Sequence, residues 1–152
     1  MTTRIQDSVP PSDLWINLIR AHHDIEHHLE RQFAKYELGW SDFASLNLLL
    51  HEGPLTITAI GKVVLLRSGS MTSCIDRLEK RGLVQRTADG SDRRVRMIGL
   101  SSEGHQLIVQ AEKIHAGVLE SIMSGLSGLE RYQANQSLIE IASRVTALSK
   151  GA

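Results

Sequence analysis

Cysteine, aromatic residues and long apolar runs are all scarce in this chain of 152 residues. A single cysteine, Cys74, excludes an internal disulfide framework. No apolar run approaches the roughly 18 residues that a membrane span requires, and the N-terminal stretch MTTRIQDSVPPSD lacks the apolar centre of a signal peptide. These absences predict a soluble cytoplasmic protein, and the length predicts one globular unit.

Residues that would mark an enzyme are also missing. The sequence holds no nucleophile with a base at a recognisable spacing, no glycine-rich phosphate loop and no metal-binding set. His23 and His27 are spaced to chelate a metal from one helix face, but no cysteine lies nearby and no HExxH pattern occurs. An ordinary solvated face is the simpler interpretation, so we predict no catalytic residue, no metal site and no cofactor.

The charge is balanced overall but unevenly distributed along the chain. There are 17 basic and 17 acidic residues, yet residues 62–96 hold nine Lys and Arg against four acids, a net +5 that leaves −5 on the remainder. Clustered Lys and Arg neutralise phosphates, which is the main sequence-independent source of affinity for DNA. The balanced total therefore conceals a basic segment whose predicted partner is double-stranded DNA.

Apolar periodicity predicts three helices in the first part of the chain. The first covers about residues 13–37, and Gly39 marks its end. Ser41 is the predicted cap of the second helix, which a Gly-Pro pair terminates. Thr56 is the predicted cap of a short third helix, which a turn connects to a fourth.

The fourth helix and the residues after it complete a recognisable arrangement. Ser68 is its predicted N-cap, Gly82 stops it, and its inner face carries apolar residues at i, i+4 and i+7: Met71, Ile75 and Leu78. Two short strands follow, joined through Asp89 and Gly90, a dipeptide that accepts the positive φ angles of a tight reversal. The pattern predicts a mainly α (α+β) winged helix-turn-helix.

Two long helices are predicted at the C-terminal end. One restarts at Ser101 and Ser102 and runs to about Met123, and Ser127 with Glu130 has the capping-box spacing that opens the last helix. The small winged module cannot cover the apolar faces of the first and last helices. A two-fold homodimer of intertwined terminal helices is the simplest solution, and it would present two copies of the fourth helix to DNA half-sites about 10 base pairs apart.

The motifs together resemble the MarR family of transcriptional regulators. They are SGSMT at residues 68–72, DRLEKRGLV at 76–84, DRR at 92–94, and LS at 100–101 followed by Gly104. The resemblance implies a single MarR-type domain over residues 1–152, with a winged helix-turn-helix at 41–100 and dimerisation helices at 12–38 and 101–149. It also implies a dimeric repressor or activator that binds a pseudo-palindromic site and releases it when a small aromatic or phenolic ligand binds.

The resemblance further implies a set of DNA-binding residues. Asp92 corresponds to the acid that braces the wing, and Arg94 to the arginine that enters the minor groove. Ser73 stands where many relatives carry arginine, and serine cannot make arginine's bidentate contact with guanine, so specificity is expected to shift toward Arg77, Ser70 and DNA shape. The complete predicted DNA-binding set is Ser68, Ser70, Thr72, Ser73, Arg77, Arg93, Arg94 and Arg96.

Each of these assignments has a structural alternative. Arg77 and its basic neighbours on the fourth helix could instead form salt bridges with Asp76 and Glu79 on a solvated face. Arg93 and Arg94 could be surface charges on an ordinary hairpin. Ser68 could serve only as an N-cap, although a helix N-terminus also binds phosphate. A winged-helix module that binds protein rather than DNA is therefore the alternative function.

The candidate ligand pocket rests on three residues. The resemblance to the family implies that Trp15 and Trp40, the only tryptophans, stack on an aromatic ligand, and His22 lies close to the apolar stripe of the first helix. Filling core or interface volume is the alternative for both tryptophans. Cys74 lies beside the inner face of the fourth helix, where burial raises a thiol's pKa, so a small core residue is predicted there rather than a reactive thiol.

Overall fold

The computed structural model describes residues 9–64, 68–88 and 96–150, apart from the side chain of Ser68. Over these residues the predicted mainly α (α+β) winged helix-turn-helix is confirmed. The elements are α1 (Pro11–Phe33), a 3-10 turn (Ala34–Tyr36), α2 (Trp40–Glu52), β1 (Leu55–Thr56), α3 (Ile57–Val64), α4 (Ser68–Lys80), β2 (Val84–Ala88), β3 (Arg96–Leu100), α5 (Ser102–Met123) and α6 (Gly128–Lys150).

The first helix ends earlier than the periodicity predicts. After the 3-10 turn, Glu37 adopts the left-handed conformation with φ of 53°, and the Leu38 amide donates to the Phe33 carbonyl oxygen at 3.4 Å. The reversal therefore occurs at Glu37 and not at Gly39. It turns Leu38, only 3% exposed, into the core, and apolar burial of this kind offsets the cost of about 1–2 kcal/mol for a left-handed residue other than glycine.

The second helix begins one residue before the predicted cap. Ser41 lies inside the first turn, where its carbonyl accepts the Ser45 hydroxyl at 2.7 Å. The amide that needs a partner belongs to Gly39, and it donates to Asp42 Oδ2 at 3.1 Å. The prediction of Ser41 as the cap was wrong because a carboxylate three residues into the helix satisfies the exposed amide instead.

The third helix begins as predicted, because Thr56 Oγ1 accepts the Ala59 amide at 3.2 Å. Thr56 also belongs to the two-residue strand β1, which the sequence did not predict. The three described strands form an antiparallel sheet in the order β1-β3-β2, with Leu55 opposite Ile98 and Val84 opposite Leu100. The turn at residues 65–67 and the predicted Asp89–Gly90 reversal lie outside the described residues.

The core of the first part of the chain is built around two stacked rings and α4. Phe33 and Phe43 stack with centroids 4.4 Å apart, which fixes α1 against α2. The predicted inner residues of α4, Met71, Ile75 and Leu78, are all fully buried. Burying each such side chain contributes about 1.5–3 kcal/mol, so packing firmly sets the orientation of α4.

The junction before α5 depends on one close approach. The Ser101 hydroxyl donates to the Gly82 carbonyl at 2.6 Å and accepts the Gly104 amide at 2.9 Å. A Cβ atom at Gly104 would lie 1.9 Å from the Leu83 carbonyl oxygen. Only glycine fits there, which gives the Leu-Ser and Gly104 motif a structural reason.

The chain divides into two compact units, Met1–Ile114 and His115–Ala152. In the second unit the predicted capping box is confirmed, with the Ser127 amide donating to Glu130 Oε2 at 2.8 Å and the Glu130 amide to Ser127 Oγ at 3.3 Å. Helix α6 has no buried residue among those described. No helix within the described ranges combines the length and apolar content needed to cross a membrane.

Candidate nucleic-acid interface

Helix α4 separates its residues cleanly into two faces. The apolar face is buried and also contains Cys74, which is 1% exposed. The opposite face exposes Ser70, Thr72, Ser73 and Arg77. The sequence periodicity predicted this division correctly, because α4 is regular from its first residue to Lys80. Ser68 begins the helix, and its side chain lies outside the described atoms.

Ser73 is oriented along its own helix. Its hydroxyl donates to the Gly69 carbonyl oxygen at 3.2 Å, one turn earlier. A serine hydroxyl has one hydrogen to donate, so in this conformation Ser73 offers an outside partner only its acceptor lone pairs. Its strength as a DNA contact, compared with that of arginine, stays a prediction.

Arg77 forms an ion pair with an acid on a different helix. Its Nη2 lies 2.5 Å from Asp42 Oδ1, and its Nε lies 3.4 Å from Asp42 Oδ2. The Asp42 side chain is 4% exposed, whereas that of Arg77 is 49% exposed. The hydrogen bond to Asp42 raises the pKa of Arg77 above its ordinary value. The pair joins α4 to the start of α2 and leaves part of the guanidinium in solvent.

Cys74 lies at the buried end of the same network. Its Sγ is 3.3 Å from Asp42 Oδ1 and 3.7 Å from the Ser45 hydroxyl. Burial raises the pKa of the Cys74 thiol above its ordinary value, with the Asp42 carboxylate acting in the same direction. The predicted role of a small core residue is consistent with this position, since the thiolate that would react is disfavoured.

Two more arginines of the basic segment are also engaged. Arg81 donates to the main-chain carbonyls of Tyr36 and Glu37 at 2.9 and 2.5 Å, so it holds the left-handed turn after α1. Arg86, on β2, lies 2.5 Å from Asp76 and also pairs with Glu79. The hydrogen bond to Asp76 raises the pKa of Arg86.

Three of the basic residues of this segment, Arg77, Arg81 and Arg86, are therefore already engaged within the protein. The acids that were considered as partners for Arg77 pair with Arg86 instead. None of the described residues forms an ion pair with Lys62, Lys80 or Arg96. Arg96 is exposed at the start of β3, opposite Ala88 in the hairpin. The wing residues Asp92, Arg93 and Arg94 lie outside the described part of the chain.

A small pocket on the first unit brings together two of the three predicted ligand-contacting residues. Its volume is about 100 Å³, and its lining is His22, Ile25, Glu26, Leu29 and Trp40. His22 Nδ1 lies 3.8 Å from Glu26 Oε2. Trp15 is not part of this lining and is 62% exposed. The sequence prediction missed Ile25, Glu26 and Leu29, although their spacing from His22 along one helix face would have identified them.

The histidine-rich part of α1 provides no metal centre within the described residues, where no three potential ligands converge. His23 and His27 instead stack their rings, with centroids 6.4 Å apart.

Known proteins are similar to this chain in both sequence and fold. The sequence profile of the MarR family matches residues 38–95. The HTH-type transcriptional regulator MhqR of Bacillus subtilis (strain 168) is 36% identical over 114 residues, which make up 75% of this chain and 79% of that protein. PecS, a regulator of Dickeya dadantii (strain 3937), is 32% identical over 110 residues, 70% of this chain and 66% of PecS.

Solved structures share the fold as well. The organohalide-sensing regulator RdhR-CbdbA1625, in its 2,4-dichlorophenol-bound form, superposes on this chain with a TM-score of 0.79 at 22% sequence identity. The superposition covers 97% of this chain and 92% of the RdhR-CbdbA1625 chain. The protein chain of the S. aureus MepR–DNA complex superposes with a TM-score of 0.77 at 21% sequence identity. That superposition covers 90% of this chain and 99% of the MepR chain. At these identities the likeness establishes the fold.

Proposed function

The chain belongs to the MarR family of transcriptional regulators, and from this premise we propose that it binds a pseudo-palindromic DNA site as a homodimer. We further propose that it acts as a repressor and that a small aromatic or phenolic ligand releases it from DNA. The observation that carries the proposal is the division of α4. One face is locked into the core, and the other presents polar side chains outward directly after α3 and directly before a basic hairpin.

The proposed DNA contacts follow from this geometry. Exposed hydroxyls at Ser70 and Thr72 suit base edges and phosphates in the major groove, and the start of α4 at Ser68 suits a phosphate because helix N-termini carry unpaired amides. Arg94 is proposed to enter the adjacent minor groove, and Arg93 and Arg96 are proposed as further DNA contacts beside it. Asp92 is proposed to brace that wing.

The proposed dimer is supported by apolar side chains that one chain leaves in solvent. On α1, Leu14, Trp15 and Ile19 are 52%, 62% and 48% exposed. On α6, Leu138, Val145 and Leu148 are 47%, 57% and 77% exposed. Covering a large apolar side chain contributes about 1.5–3 kcal/mol, so two helices with this exposure gain substantially from a second copy. This exposure supports the proposal that residues 12–38 and 101–149 form the dimerisation helices.

The ligand proposal rests on the pocket beside Trp40. Its ring offers an aromatic surface, and Glu26 together with His22 offers acceptors for a hydroxyl. The related fold of RdhR-CbdbA1625 was solved with 2,4-dichlorophenol, a compound of the proposed class. Trp15 is exposed on α1, the helix that also carries His22 and Glu26. It is proposed to reach the ligand from the side that faces the second copy of the chain.

The test of DNA binding is fluorescence anisotropy with labelled fragments of the DNA upstream of the protein's own gene. Specific regulators bind at about 10⁻⁸–10⁻¹¹ M, and we expect an affinity in that range. Arg94→Ala should weaken binding by about tenfold or more without changing the melting temperature. Arg31→Ala, which removes an exposed arginine at the end of α1, is the matched control. Failure to bind any fragment, or equal binding by Arg94→Ala, would favour the protein-interaction alternative.

The test of ligand release uses 2,4-dichlorophenol as the probe. Added to the complex of protein and labelled DNA, it should lower anisotropy, and in a Trp15→Phe background it should quench the fluorescence of Trp40. Release of DNA without a change at Trp40 would place the ligand elsewhere. No response in either measurement would contradict release by this class of ligand.

A further inference from the structure

Asp42 is a buried carboxylate whose hydrogen-bonding capacity is entirely filled. It is 3% exposed and receives the Gly39 amide, the Cys74 thiol and two nitrogens of Arg77. A carboxylate offers about four lone-pair sites, and four donors occupy them here. Gly39 precedes α2 and the other two partners lie on α4, so one side chain ties the start of α2 to α4.

The pairing fixes the direction of the Arg77 guanidinium. Nε and Nη2 lie on one edge of that planar group, and both face Asp42. The remaining nitrogen, Nη1, lies on the other edge, and about half of the side chain is in solvent. A guanidinium held along one edge has lost most of its rotational freedom before it meets another partner.

Arg77 also shares a stripe of α4 with two proposed contact residues. Ser73 precedes it by one turn and Ser70 by two, a spacing that aligns side chains on one helix face. Ser73 directs its only hydrogen back to Gly69. Of these three side chains Arg77 is the cationic one, and its outward edge offers a donor to an outside partner.

We propose that Asp42 is a positioning residue for DNA recognition, and that it holds Arg77 so that its outer edge contacts a DNA phosphate. This inference rests on the proposed function, since it requires that the exposed face of α4 meets DNA. Asp42 itself touches no DNA. It acts through Arg77. Its carboxylate neutralises part of the guanidinium charge, and in exchange it orients the exposed edge of that group.

The decisive comparison is between two aspartates whose replacement by asparagine changes the net charge of the protein by the same amount. Asp42→Asn removes one negative charge and the ion pair with Arg77. Asp76→Asn removes one negative charge from the surface of α4 together with its ion pair to Arg86, and it leaves Asp42 with Arg77 intact. If charge alone governed affinity, both variants would bind the operator fragment as tightly as the wild type or more tightly, because each gains one net positive charge.

Positioning predicts opposite outcomes for the two variants. Asp42→Asn should bind about tenfold more weakly, and its plot of log K against log salt should be flatter by about 0.9, the loss of one phosphate contact. Asp76→Asn should bind no more weakly than wild type and should not show a flatter plot. A variant with a purely structural defect would lower the melting temperature and leave the salt slope of the folded protein unchanged. Equal or tighter binding by Asp42→Asn, or an unchanged slope, overturns the proposal.

Arg77→Lys covers the case in which Asp42→Asn does not fold. Lysine keeps the charge but cannot span both carboxylate oxygens with a rigid edge. The proposal predicts about tenfold weaker operator binding by Arg77→Lys, and wild-type binding by this variant overturns it. A wild-type protein that binds no DNA would instead refute the proposed function, so the two failures are distinguishable.

Discussion

The apolar stripes of α4 and α6 follow the same helical period, but one stripe is buried and the other is exposed. Leu78 on α4 is fully buried, whereas Leu148 on α6 is 77% exposed. Other residues of the same unit cover the apolar stripe of α4. Among the described residues, those of the second unit do not cover the apolar stripe of α6. The comparison teaches that a periodic pattern identifies a face that needs covering without identifying what covers it.

The largest expected effect tests the buried stripe. Leu78→Ala should lower the free energy of unfolding by about 2–5 kcal/mol, because it removes a fully buried side chain and leaves a cavity. Urea denaturation followed by circular dichroism measures the change. The matched variant Leu148→Ala, made in a monomeric form of the protein such as the Val145→Glu variant, should change the free energy of unfolding by less than about 0.5 kcal/mol. Equal losses in the two variants would remove the distinction between the stripes.

The next effect tests what covers the exposed stripe. Val145→Glu should yield a monomer, because a carboxylate buried between two apolar helices would lack a partner. Light scattering during gel filtration measures the mass, and operator affinity should fall at least tenfold with the loss of the second half-site contact. Ser143→Glu makes the same change on the opposite face of α6 and should remain dimeric. A dimeric Val145→Glu would mean that another surface joins the two copies.

The smallest effect concerns the start of α6, where no tertiary burial assists the helix. Ser127→Ala removes the hydroxyl that accepts the Glu130 amide and should cost about 1 kcal/mol of local helix stability. The measurement is hydrogen exchange of the amides in the first turn of α6, with Ser124→Ala as a control outside the capping box. Unchanged exchange in Ser127→Ala would show that packing, not the cap, starts the helix.

The same cap gives a dependence on pH with a definite sign. Hydrogen bonds from Ser127 lower the pKa of Glu130 below its ordinary value of roughly 4.3. A group whose pKa is lower in the folded state stabilises that state above its unfolded pKa and loses the contribution as pH falls through its folded pKa. The first turn of α6 should therefore fray as the pH falls below the ordinary range of glutamate pKa values, and Glu130→Gln should remove this dependence.

Local patterns were sufficient to predict most of the fold. The two faces of α4, the Thr56 cap and the Ser127 capping box each depend on residues within one or two turns, and all three were confirmed. The strand β1 was missed because two residues are too short to show alternation. The end of α1 was misplaced because Glu37, which no periodicity marks, takes the left-handed conformation.

The pairing of charges was beyond the reach of sequence analysis. Arg77 has the nearby acids Asp76 and Glu79 in sequence, and neither is its partner. It pairs with Asp42, 35 residues away, because the packing of α4 on α2 brings them together. Asp42 was not singled out, although its position three residues after Gly39 is a detectable capping signal. The DNA-contacting roles of the α4 residues and of the wing arginines remain predictions.

The burial of the single thiol has a practical consequence for measuring the assembled protein. A maleimide or nitroxide reagent should leave Cys74 untouched in the native state, so the natural chain needs no cysteine removed before labelling. A cysteine introduced at Thr87, exposed on β2, would then carry the sole label of each copy. In the proposed homodimer, electron-electron distance spectroscopy on that variant would report the separation between the two wings directly, with and without a candidate ligand.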